Sequence, residues 1–233
     1  MTTKIKSILL LMITIFIVIF SSEGIFSLAQ NNDIFFKNGS RNEKLIALTF
    51  DDGPHPKETY EILNILNKYN VKATFFVVGK HANWYSKPLI EASKEGHEIG
   101  NHTFSHPDIS NLSSDDIKKE IKECEDALIK LTGKKPTLFR PPYGSYGKDQ
   151  LGEIAKECGY KIILWTSIDA KDWKNPPSAQ ISNTIINKVQ NGDIILLHDY
   201  GTENTVQALD VIIPTLTKEG YKFVTVSELI GEN

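Results

Sequence analysis

Two adjacent acids, Asp51 and Asp52, close the apolar run Ile46 to Phe50 and are followed at once by Gly53 and Pro54, giving the stretch "TFDDGP". Asp-Gly-Pro alone is ordinary turn chemistry. At the end of a β-like run, however, neighbouring carboxylates repel each other unless a cation or a buried partner gives them separate roles. Farther along, "NHTFSHPD" sets His102 and His106 four residues apart, a spacing that brings two imidazoles to one side of a helical turn, as a metal site requires. Pro107 rules out a long helix, so a loop or a single turn carries them. Thr103 excludes the HExxH pattern of zinc proteases.

Three more stretches bring reactive groups. "FRPPYGS" sets Arg140 beside two prolines that stiffen its backbone, and a rigid loop carrying a cation can hold a carboxylate ionised and aimed. "WTSIDAKDW" supplies Trp165, Asp169, Asp172 and Trp173, and "ILLHD" supplies His198. Alone, His198 reads as a histidine satisfied in the core and Arg140 as a surface residue in a turn. Together they are reactive groups that all follow short apolar runs.

Those runs are Leu45–Phe50, Ala73–Val78, His97–Asn101, Thr137–Phe139, Lys161–Thr166, Asp193–Leu197 and Phe223–Val226, each rich in β-formers. Helical patterns alternate with them, over Lys57–Tyr69, Trp84–Lys94, Ser113–Leu131, Lys148–Cys158, Ser178–Gln190 and Val206–Lys218. Ser113 with Asp116 makes a capping-box variant, and Gly133, Gly159 and Gly220 follow helix ends. Alternation of this kind means parallel strands with right-handed crossovers. Seven units close into a barrel more readily than an open doubly wound sheet, and reactive side chains directly after strands match the C-terminal face on which β/α barrels build their sites.

The chain has 233 residues, 40% hydrophobic and 24% charged, enough for one domain with a full core. A net charge of −3 offers no polyanion-binding surface, so nucleic acid is not an expected partner. Lys4 and Lys6 precede an apolar stretch from Ile8 to Phe20, and Ser27 and Ala29 fit a small-residue cleavage rule. Residues 1–29 therefore read as a signal peptide, or as an N-terminal membrane anchor if left uncleaved, residues 30–43 as a linker, and residues 44–230 as the catalytic domain. Export is expected, with the protein secreted, wall-associated or anchored on the outer membrane face. Cys124 and Cys158 fall on the apolar stripes of separate helices and read as small hydrophobes rather than a bridge.

Taken in order, "TFDDGP", "HTFSH", "RPPYG", "DAKDW" and "LLH" resemble the five motifs of the polysaccharide deacetylase family, the NodB-homology carbohydrate esterases, over about Lys44 to Leu229. The resemblance implies a distorted, incomplete (β/α) barrel of about seven parallel strands. It implies hydrolytic removal of acetyl groups from N-acetylglucosamine polymers such as peptidoglycan or chitin, or from acetylxylan, with one divalent metal, Zn²⁺ foremost and Co²⁺ or Ni²⁺ as alternatives. Carried over residue by residue, Asp52, His102 and His106 become metal ligands. Asp51 becomes the general base held by Arg140, and His198 the general acid held by Asp172. The backbone N–H of Tyr143 faces the oxyanion, while Leu196 and Trp173 wall the acetyl methyl group.

Peptidoglycan is the favoured polymer, acted on by a monomer that meets the membrane only through an uncleaved anchor. Two other readings remain: an esterase for acetylxylan or other O-acetyl polysaccharide, and a silent glycan-binding protein, which would be expected to lack a base, an acid or a ligand. Of the remaining candidates, His55 reads as an ordinary residue just beyond the acid pair, with lining a sugar groove as the lesser alternative, His81 as a surface or supporting residue, His97 as satisfying backbone, and Trp84 as packing.

Overall fold

The computed structural model describes residues 34–145, 150–166 and 168–232. The signal or anchor expected at residues 1–29 lies outside them. In chain order the elements are β1 (Phe35–Phe36), β2 (Leu45–Asp51), α1 (Glu58–Lys68), β3 (Thr74–Val77), α2 (Gly79–Trp84), α3 (Ser86–Lys94), β4 (Glu98–Asn101), α4 (Ser114–Thr132), β5 (Leu138–Phe139), α5 (Gln150–Cys158), β6 (Lys161–Ile163), α6 (Ser178–Lys188), β7 (Ile194–His198), α7 (Glu203–Lys218), β8 (Lys222–Phe223) and α8 (Val226–Leu229).

The strands run parallel in the order β1-β6-β5-β4-β3-β2-β7, with β8 added on β2. β2 to β6 thus lie side by side in chain order, β7 returns to the far side of β2 and β1 lies on the free edge of β6, so the seam of the curled sheet falls between the β1–β6 edge and β7. The segment after β6 stitches that seam: the Thr166 N–H donates to the Ile194 carbonyl at 3.1 Å, and Asp169 bridges to Leu196. This is the expected distorted, incomplete barrel.

Alternation along β2 decides what faces the barrel interior. Ile46, Leu48 and Phe50 pack outward in the cluster shared with α1, α3, α6 and α7, whereas Ala47 joins Phe76, Leu138, Ile163 and Ile194 in an inner cluster. Thr49 and Asp51 share the parity of Ala47 and are buried. α8 supplies Val226 and Leu229 to that cluster, and the Val226 N–H donates to Thr74 Oγ1, at the N-terminal end of β3, at 2.9 Å.

Three expectations are corrected. Phe35–Phe36, assigned to the linker, forms β1 along the edge of β6, and Phe36 is buried; two residues are too few to show a strand period. Val226, expected to end the last strand, begins α8, because Thr225 and Glu228 form a capping box. The helix expected over Trp84–Lys94 forms from Ser86 as α3, and a separate short helix that was not expected, α2, precedes it and ends at Trp84. Pro88 lacks an N–H, and its ring would meet the Trp84 carbonyl in a continuous helix, so the chain restarts at Ser86 with Pro88 in the first turn. Trp84 is consequently turned out, 62% exposed, rather than packed in the core. The other helices form within a few residues of expectation, Ser113 caps α4, Gly133 ends it with φ 73°, and both cysteines are free.

Candidate active site

Register places the first acid beside the histidine of the last motif: Asp51 is the Cα partner of His198 across the β2–β7 ladder. Of the non-glycine residues with positive φ among those described, Asp52, Thr103, His106, Tyr143, Lys171 and Asn175 all belong to loops on this rim, and only Asn70 lies elsewhere. Left-handed backbone is costly for such residues and persists where the surroundings over-determine it. Here it turns Asp52 away from Asp51.

The second acid meets the histidine pair. Asp52 Oδ1 lies 3.0 Å from His106 Nε2 and 3.5 Å from His102 Nε2, and the three ligand atoms all fall within 4.8 Å of one another. His102 Nδ1–H donates to the Arg140 carbonyl at 2.7 Å, which fixes the tautomer and leaves Nε2 free to bind a cation. Burial favours the neutral form of Asp52, but hydrogen bonds and charge from the two imidazoles hold its carboxyl well below the usual carboxylate range. One ionised carboxylate and two imidazole nitrogens converging in this way fit a zinc-like divalent cation with positions left open.

The first acid has different partners. Arg140 is fully buried, and its NH1 donates to Asp51 Oδ1 at 2.7 Å and to Thr49 Oγ1 at 2.8 Å. Nε and NH2 donate to the Ile163 and Leu164 carbonyls, both at 3.2 Å, and the guanidinium lies 4.1 Å over the Phe76 ring. Burial lowers the Arg140 pKa while Asp51 pushes it back up. Across the rim, Asp172 takes the His198 Nδ1–H and the His198 backbone N–H, both at 2.8 Å, and the Thr205 hydroxyl at 2.8 Å. Burial works against a charged His198, yet the hydrogen bond and charge of Asp172, with the charges of Asp51 and Asp52, raise its pKa to about 9.

These groups surround a cavity of about 340 Å³ lined by Asp51, Asp52, His102, His106, Tyr143, Trp165, Asp169, Trp173, Leu196 and His198. Arg140 and Asp172 stand directly behind this lining, so all ten residues singled out from sequence are gathered at one place. The Polysaccharide deacetylase family model matches residues 38–163. The chain belongs to the polysaccharide deacetylase family. It is thereby a hydrolase that takes acetyl groups off polysaccharide. It is 45% identical to the peptidoglycan-N-acetylglucosamine deacetylase of Bacillus cereus over 192 residues, 81% of this chain and 89% of that one. It is 43% identical to the peptidoglycan-N-acetylmuramic acid deacetylase PdaC of Bacillus subtilis, covering 81% of this chain and 39% of that longer protein. The crystal structure of the Bc1960 peptidoglycan N-acetylglucosamine deacetylase superposes with a TM-score of 0.83 at 37% identity, covering 86% of this chain and 94% of that one.

Sequence reasoning left out several members of the deacetylase site. Trp165 and Asp169 line the cavity, and the motif that holds them was visible although their place in the wall was not. Thr49 and Thr205 hydrogen-bond to the two supporting residues; single threonines in a strand and a helix carry no pattern that reveals this. His81 proves to be a supporting residue, its Nδ1–H donating to the Asp52 carbonyl at 2.5 Å.

Proposed function

We propose that this deacetylase removes N-acetyl groups from the N-acetylglucosamine residues of peptidoglycan. The observation that carries the reading is one cavity in which an Asp-His-His cation site lies between an arginine-held carboxylate, Asp51, and an aspartate-held imidazole, His198. The named activities of the Bacillus relatives support the polymer, and Lys4, Lys6 and the apolar run from Ile8 to Phe20 support action outside the cytoplasm.

Asp52, His102 and His106 would hold the cation, Zn²⁺ first. When bound, such an ion polarises the acetyl carbonyl and acidifies water. Asp51, kept off the ligand set and aimed by Arg140, takes a proton from the attacking water. As water oxygen bonds to the amide carbon, the carbonyl oxygen gains charge, and the backbone N–H of Tyr143 faces it. An amine anion is too poor a leaving group at neutral pH, so His198, an imidazolium sustained by Asp172, gives its proton to the nitrogen as the C–N bond breaks. Acetate and a free sugar amine result. Leu196 and Trp173 exclude water around the methyl group.

Acetate release measured side by side on purified peptidoglycan, chitin oligomers and acetylxylan tests this. Fastest release from peptidoglycan is expected. Preference for acetylxylan would replace the reading with an O-acetyl esterase, and silence on all three would leave a glycan-binding protein. Mass analysis of the product separates the two peptidoglycan sugars.

A further inference from the structure

A cavity of about 340 Å³ sits at the small end of ligand sites, with room for one sugar residue rather than a strand. The polymer in our functional reading, on which this inference rests, must therefore run onto the rim. The exposed large apolar side chains among the described residues are Phe35, Trp84, Tyr143, Trp173 and Val211, and three of them, Trp84, Tyr143 and Trp173, follow the C-terminal ends of strands around that cavity. Tyr143 and Trp173 already wall it. Trp84, at 62% exposure, does not. It ends α2, the helix after β3, whereas the other two lie in the segments after β5 and β6.

Trp84 is also the outermost member of a closed ring of aromatic contacts. It lies 5.3 Å from His81, which stacks on Tyr200 at 4.3 Å and 11°. Tyr200 meets His55 at 5.1 Å, His55 meets Tyr85 at 6.0 Å, and Tyr85 returns to Trp84 at 6.4 Å. Four chain segments, after β2, at both ends of α2 and after β7, thus hold one indole in place. The hydrogen bond from His81 Nδ1–H to the Asp52 carbonyl joins this assembly to the cation site. A large, rigid, solvent-facing indole loses little freedom on binding and offers an apolar face, which matches the C–H face of a neutral pyranose.

We propose that Trp84 is a glycan subsite, stacking on a sugar ring of the substrate strand beyond the residue being deacetylated. The test is kcat/KM for acetate release from N-acetylglucosamine oligomers, dimer to hexamer, with the whole zinc-loaded protein. The hexamer-to-dimer ratio is the readout because it does not depend on how much of a preparation is folded. The wild type gains with length, and Trp84→Ala is expected to lower the ratio about three- to tenfold, with Trp84→Phe restoring most of it. Calorimetric hexamer affinity should fall by a similar factor. An unchanged ratio in Trp84→Ala, with wild-type turnover intact, overturns the subsite alone. A wild type that releases no acetate from oligomers of any length or from purified peptidoglycan overturns the functional reading, and the subsite with it.

Discussion

Asp51 and Asp52 are chemically identical neighbours, and in the proposed reaction only their partners give them different work. A positive φ at Asp52 sends its carboxylate to two imidazoles, while Asp51 stays in the barrel against Arg140. Asp51→Asn should therefore lower kcat by 10² or more, the scale of lost general base catalysis, while metal analysis still finds one ion per chain. Loss of the ion with Asp51 would show that the two acids share the ligand role. In the proposed reaction His198, held by Asp172, is the matching acid, and the sign of its pH dependence follows from the raised pKa. The imidazolium persists until the pH climbs through about 9, so turnover should decline on that alkaline side. In Asp172→Asn the opposing effect of burial prevails, and the alkaline limb should move toward acid by a unit or more. A limb that stays in place would assign it to another group. The same pair stabilises the fold fully below the ordinary histidine pKa of 6.5 and loses that contribution as pH rises through about 9.

At the scale of elements, a seven-residue strand was easy to see and its consequence easy to follow: β2 alternates apolar faces and delivers Asp51 inward. Helices of nine residues or more were legible because apolar stripes and caps recur over several turns. β1, with two residues, and α8, with four, are too short for any period: β1 exists through its pairing with β6, and α8 through its capping box and the packing of Val226 and Leu229. The motifs were legible as ordered residue types, but not which of their members reach the cavity, since Trp165 and Asp169 are placed by long-range packing. Small residues make that packing possible. A Cβ at Gly100 of β4 would stand 2.5 Å from Phe76 Cδ1, and the Phe76 ring carries Arg140. Gly100→Ala should destabilise the fold by about 1–3 kcal/mol in urea unfolding, through overpacking. Phe76→Leu in the same chain should recover part of the loss, and strict additivity of the two changes would show that they do not press on each other.

For the whole molecule, the cation site joins chain segments that the barrel holds only at their bases. Asp52 follows β2, His102 and His106 follow β4, and the Arg140 carbonyl that orients His102 follows β5. A divalent ion held by the first three, as proposed, would tie strands that are not adjacent in the ladder and would bind a geometry the unfolded chain does not have. Linkage then requires the folded state to gain stability with metal concentration, about 2.7 kcal/mol at a hundredfold excess over Kd. For a domain of this size that corresponds to a melting temperature higher by roughly 5–10 °C. Zinc titrated into chelator-stripped protein should raise the melting temperature and restore acetate release together. Asp52→Ala should lose both responses, because its carboxylate is the only acid in the triad. A stripped protein with full turnover would refute a metal-dependent reaction. A melting temperature that rises with zinc equally in the wild type and in Asp52→Ala would place the ion elsewhere on the chain.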